Sequence, residues 1–132
     1  MKNVTILLVA LTYLFQAQAF ASSRTKRKFG VKAGYSTCFG GNFFGGIGWN
    51  FGENFRASLD YTHFILQPKY NQPELGLTWL ITKTDLAPFV GVSSFLLIKG
   101  GLDYTSEAGI NMGIGLQTGR CTGPFVYLGK YF

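Results

Sequence analysis

Charge is scarce in this sequence: Asp, Glu, Lys and Arg make up 14% of 132 residues, against an ordinary globular share of about 25%. A surface that met water on every side would want more. Histidine and cysteine are scarcer still. With one histidine, two cysteines and no CxxC pair, a Cys/His zinc site of the usual kind is excluded. No GxGxxG opening a helix and no GK[ST] occurs, so nothing calls for a nucleotide or other cofactor. Small residues in a tight turn account for the Gly-rich "CFGGNFFGGIG". Also missing is any apolar run of the ~20 residues that a membrane-spanning helix needs.

The longest apolar stretch, Val4 to Phe15, is only about 12 residues long. Lys2 precedes it and small residues follow at Ala17, Ala19 and Ala21. This order predicts a secretory signal peptide over 1–21, cleaved after Ala19 or Ala21. Residues 22–28 then form a basic leader, and 29–132 a single domain. The net charge of +6 owes four positive charges to the leader, in Arg24, Lys26, Arg27 and Lys28, and another to Lys2 in the signal. The remainder is nearly neutral, so the basic balance does not describe a nucleic-acid-binding face. The run "RTKRK", residues 24–28, reads as a solvated leader, with contact to anionic lipid headgroups from the periplasmic side as the alternative.

What is abundant is glycine, 18 residues, and aromatic side chains, 17%. They are arranged with period two, interrupted by turn residues, as in an all-β protein of meander-like connections. Candidate strands run Lys28 to Ser36, Phe43 to Phe51, Phe55 to Ile65, Glu74 to Ile81, Ala87 to Ile98, Ile110 to Gln117 and Pro124 to Phe132, seven in all. "GEN" and "KTD" read as short turns, "QPKYNQ" and "KGGLDYTSE" as longer loops. In the second strand Phe43, Ile47, Trp49 and Phe51 share one face, and Phe44, Gly46, Gly48 and Asn50 the other. A slip of one residue would exchange the two faces, so register is well specified. Ala87 to Ile98 is apolar on both faces and resists orientation.

Two architectures give each strand one apolar and one polar face. In a soluble β-sandwich the apolar faces meet each other; in a transmembrane barrel they meet lipid and the polar faces line the interior. The non-apolar faces here are built from Gly30, Gly34, Gly46, Gly48, Gly76, Gly113 and Gly115 rather than from Lys and Glu. A narrow lumen wants such residues and a wet surface does not. Large aromatics beside turns, Trp49, Phe51, Phe55, Tyr131 and Phe132, fit membrane-interface girdles. The expected fold is therefore a small antiparallel up-and-down transmembrane β-barrel, with the soluble secreted sandwich binding module as the alternative.

"KFGVKAGYS", "FGENF", "APFVGV" and a terminal strand closing on Tyr131 and Phe132 together resemble the small bacterial outer-membrane β-barrel domain family. The likeness runs over Phe29 to Phe132 and lies in pattern. It implies eight antiparallel strands where seven are counted: either one more lies within the ambiguous stretch Leu86 to Tyr104, or the chain lacks a hairpin partner and closes imperfectly. It implies outer-membrane location, contact with outer-membrane lipids, and a final aromatic, Phe132, read by the barrel assembly machinery together with Leu128 and Val126 on the same outward face. Lys130 departs from that family's apolar pattern. With eight strands Cys38 and Cys121 lie at one rim on neighbouring strands and a disulfide can join them. With seven they lie at opposite rims, beyond the roughly 6 Å Cα separation that a bridge requires.

Lys32, Arg56, Asp60, Glu74 and Gln117 are the polar residues expected inside, where paired charges filling a small lumen explain them better than a transport or catalytic constellation. His63 is the one candidate base. Lipid A hydrolases of the outer membrane use a histidine and a serine at such a rim, and here Ser93, Ser94 or Ser106 would have to approach through the fold. The sequence thus favours a non-enzymatic outer-membrane barrel with a structural or surface-interaction role, with a lipid-modifying hydrolase as the alternative.

Overall fold

The computed structural model describes residues 26–132. The expected signal peptide and residues 22–25 of the leader lie outside the described residues. Eight strands follow in chain order: β1 (Phe29–Ser36), β2 (Asn42–Phe51), β3 (Phe55–Phe64), β4 (Gln72–Leu80), β5 (Leu86–Ser93), β6 (Leu97–Thr105), β7 (Ile110–Gly119) and β8 (Gly123–Tyr131). Each pairs antiparallel with its sequence neighbours, and β1 pairs with both β2 and β8, so the sheet closes on itself. A single closed sheet has no second sheet to pack against, which rules out the sandwich. Following the pairing once round the wall, the register climbs by about ten residues, the stagger of a small barrel with tilted strands.

The strand missing from the sequence reading lies where Ala87 to Ile98 looked like one long strand. That stretch is a hairpin, β5 and β6, turning through residues 94–96. The turn carries no Gly, Asn or Pro. Its left-handed position is filled by Leu96 at φ 58°, a conformation uncommon outside Gly, Asn and Asp, so the usual turn signal is absent. Most of "KGGLDYTSE", read as a loop, is consequently β6 itself.

With eight strands, the start of β1 and the end of β8 share one rim, here the near rim, with connections 52–54, 81–85 and 106–109. Connections 37–41, 65–71, 94–96 and 120–122 form the far rim. None of them projects as a long loop. Two are braced by short 3-10 turns, Cys38–Gly40 and Pro68–Tyr70.

Alternation decides what each wall residue sees. Inward positions hold the lumen glycines and a set of aromatic rings, and the two complement each other. A Cβ at Gly113 would lie 2.1 Å from the Tyr127 ring, one at Gly34 2.3 Å from the Phe44 ring, and one at Gly30 2.6 Å from the Tyr131 ring. Each glycine makes room for a neighbour's ring in an interior just wide enough to be filled. Tyr131, expected with Phe132 at a membrane interface, instead faces inward and is 1% exposed. Consecutive strand residues alternate, so Phe132 outward dictates Tyr131 inward.

Candidate functional site

The interior holds the polar residues of the fold in layers. Lys32, Gly46, Asp60 and Glu74 are paired in one continuous row across β1, β2, β3 and β4. Because Gly46 contributes no side chain, Lys32 Nζ passes over it to Asp60 Oδ2 at 3.0 Å. A Cβ at Gly46 would stand 2.6 Å from the other Asp60 oxygen. Ser58 donates to Asp60 at 3.1 Å, and Thr62 donates to Glu74 at 3.4 Å. Glu74 takes its cation from two strands away, beyond β5: Lys99 Nζ of β6 lies 3.0 Å from its Oε1. The Phe44 ring sits between the two lysines, 6.0 Å from Lys32 and 5.6 Å from Lys99. Contacts of this kind stabilise a cation where water is excluded.

Toward the near rim a second network centres on Asp103 of β6, which is fully buried. Arg56 Nη1 of β3 donates to it at 2.7 Å from the opposite wall, and Arg56 Nε donates to Asn50 at 2.9 Å. Asn111 of β7 donates to both Asp103 oxygens at 3.1 and 3.0 Å, and the Tyr127 hydroxyl of β8 donates to it as well. The Arg56 guanidinium lies 4.6 Å above the Tyr131 ring. One carboxylate thereby ties four strands together. At the far end Gln117 donates to Ser36 at 2.6 Å.

All five residues expected inside are there, and all are buried or half-buried. Missed were Lys99 and Asp103, which supply the counter-charges of Glu74 and Arg56. Both fall in the stretch read as a loop. The signal that would have found them is the alternation of Lys99, Gly101, Asp103 and Thr105 against Ile98, Leu102 and Tyr104. The interior ends up electrically balanced, as buried charge requires.

Buried side chains such as Arg56, Asp103, Glu74, Phe89 and Phe125 fill much of the interior. Among the described residues, the spaces of about 40 Å³ beside Asp60 and Ser93 and about 10 Å³ beside Cys38 and Glu74 each admit a few waters at most. The far rim is closed by Phe64, Phe95 and Leu97 with Phe39 packed against them. At the near rim Arg27 donates to the carbonyls of Glu107 at 2.5 Å and Tyr131 at 3.3 Å. Of the described leader residues, the Arg27 side chain is thus held at the near rim, while Lys26 and Lys28 are exposed.

Cys38 and Cys121 form a disulfide with Cα atoms 5.7 Å apart, joining the connections after β1 and before β8. It clips the seam where the sheet closes. His63 faces outward on β3, exposed, and its Nδ1 is 2.8 Å from Asn71 Nδ2. None of the candidate serines is joined to it among the described residues. Ser94 Oγ accepts from Leu75 N at 2.9 Å and Ser106 Oγ from Ile110 N at 3.1 Å, while Ser93 is inward. A serine nucleophile needs a base within hydrogen-bond reach, and His63 offers none of the three that geometry. Also among the described residues, no three His, Cys, Asp or Glu side chains are grouped as a metal site requires.

Val126, Leu128, Lys130 and Phe132 lie on the outer face of β8 and its continuation, all exposed. The backbone N–H of Phe132 donates to Phe29 O at 2.7 Å, which holds its side chain beside β1. Compared with protein-family models, with curated proteins and with solved structures, the chain matches none, so the functional reading stands on the geometry above.

Proposed function

We propose that this chain is a small outer-membrane β-barrel protein, of the kind its sequence resembles, with a structural or surface-interaction role and no catalytic activity. One observation carries the reading: the barrel is charged inside and apolar outside. Outward strand positions are filled by aliphatic, aromatic, proline and small side chains, broken only by His63, Thr118 and Lys130. Leu75, Ile114, Leu116 and Leu128 are 62, 59, 66 and 59% exposed. In water, a girdle of that extent far exceeds the few hundred Å² that soluble monomers tolerate. In lipid it is the stable arrangement, because closure satisfies every ladder hydrogen bond and leaves no edge.

Strand length supports the same solvent. Strands of 8 to 10 residues approach the ~9–11 that a tilted strand needs to cross hydrocarbon. Trp49, Phe51, Phe55 and Trp79 lie outward near one rim and Phe43 and Tyr61 near the other, where girdles belong. The outward row Val126, Leu128 and Phe132 is the feature that the barrel assembly machinery would read. The filled lumen argues against a pore, and the compact far rim means that any surface contact is made by a closed cap rather than by long loops.

Fractionation of expressing cells tests this directly. The protein is expected in the outer-membrane pool, extracted only by detergent, with a gel mobility that changes on boiling. Free solubility of the mature protein would refute the reading. Phe132→Ala is expected to lower the amount of folded protein in that pool, and unchanged assembly would remove the recognition role from this residue.

A further inference from the structure

The two rims differ in charge. Of the six acidic residues, Asp60, Glu74 and Asp103 are inside, and Glu53, Asp85 and Glu107 lie on near-rim connections. The far rim carries no carboxylate. Its charged residues are Lys69 and Arg120, on the connections after β3 and after β7, both exposed. Neither has an acidic partner among the described residues. Each is held on an aromatic ring instead: Lys69 Nζ lies 5.1 Å from the centre of Tyr70, and the Arg120 guanidinium 5.2 Å from that of Phe95.

Those rings belong to one row across the mouth. Tyr70 stacks on Phe39 at 6.2 Å, and Phe39 meets Phe95 edge-on at 6.4 Å. The far rim is therefore an apolar cap with an uncompensated cation at each end, flanked by Leu66 and Leu96 at 70 and 66% exposure. Placing bare cations beside exposed leucines is unfavourable for a partner that is only water or only hydrocarbon. An amphiphile with a negative head and an apolar body complements both at once.

We infer that the far rim is a docking surface for phosphate-bearing lipid headgroups of the leaflet it faces, with Lys69 and Arg120 as the two headgroup contacts and Leu66 and Leu96 against the acyl region. The inference rests on the membrane reading and adds to it a sidedness and a lipid class. Each cation near an anionic surface strengthens binding by about five-fold, screened by salt. Selective retention of anionic over neutral lipid should therefore depend on both residues together.

The test uses the full mature protein reconstituted in phosphatidylcholine vesicles containing a minor fraction of phosphatidylglycerol. Lipids retained after gentle detergent extraction are counted by native mass spectrometry. Wild type is expected to retain phosphatidylglycerol several-fold above its share of the vesicle. The variant Lys69→Gln/Arg120→Gln is expected to lose that enrichment, while Lys83→Gln, which removes a near-rim cation, keeps it. Inserted, heat-modifiable wild-type protein without enrichment, or enrichment that survives the double change, overturns the inference and leaves the membrane reading intact. Competition by inorganic phosphate alone would assign the site to a free anion and overturn the lipid assignment. Failure of wild type to insert at all overturns both.

Discussion

Removing the Asp103 carboxylate tests whether the interior is held by its cross-lumen network. Arg56 reaches Asp103 from the opposite wall at 2.7 Å, with the two side chains 5 and 0% exposed. Asp103→Ala strands the guanidinium without a counter-charge, removes the acceptor of the Tyr127 hydroxyl, and leaves Asn111 only Tyr104 O and Thr105 Oγ1 to donate to. Breaking one side of a buried pair costs about 3–5 kcal/mol, and the network places Asp103→Ala toward the upper end. Arg56→Met should cost a similar amount. The double variant should cost less than the two singles added, by about 2 kcal/mol, because it leaves no unpaired charge. The assay is equilibrium unfolding in urea from detergent micelles, followed by fluorescence of the outward Trp49 and Trp79 and by the heat-dependent gel shift. An internal control is Lys83 with Glu53, whose side chains are 56 and 49% exposed. A pair so wet is worth less than about 1 kcal/mol. Additive single costs, or an Asp103→Ala cost as small as that control, would refute the claim that the network braces the barrel.

Three further outcomes follow from the same geometry. Replacing Cys38 and Cys121 by serine frees a sequence separation of 83 residues, worth up to about 4–5 kcal/mol on the chain-entropy account, and should lower the urea midpoint. Equal midpoints with and without reductant in wild type would show that the β1–β8 ladder alone holds the seam. Ile114→Arg, at the outward middle of β7, should cost about 2–4 kcal/mol in a bilayer but within about 0.5 kcal/mol on a watery surface, so unfolding of the vesicle-embedded variant separates the two solvents. Gly101→Ala sets a Cβ 2.1 Å from Ile114 O on the inner face, whereas at the adjacent Gly100 the nearest neighbour is Phe89 O at 3.6 Å. Only the Gly101 change should reduce the folded fraction on a gel, and equal effects would mean that the inward and outward assignment of β6 is wrong.

Period-two alternation is a local property, so the all-β class, the faces that the residues of β2, β3 and β4 present, and the inward placement of Lys32, Arg56, Asp60, Glu74 and Gln117 were legible from residue order alone. Glycine where a wet surface would carry Lys or Glu was likewise readable without coordinates. Three matters needed the tertiary structure. The β5–β6 turn is invisible locally because Leu96 takes the left-handed position that glycine usually marks. Closure into eight strands is a property of the whole circuit, and it alone brings Cys38 and Cys121 to one rim. The pairing of Arg56 with Asp103, and of Glu74 with Lys99, joins residues 47 and 25 positions apart on strands that are not neighbours, inside a lumen whose width no window of sequence encodes.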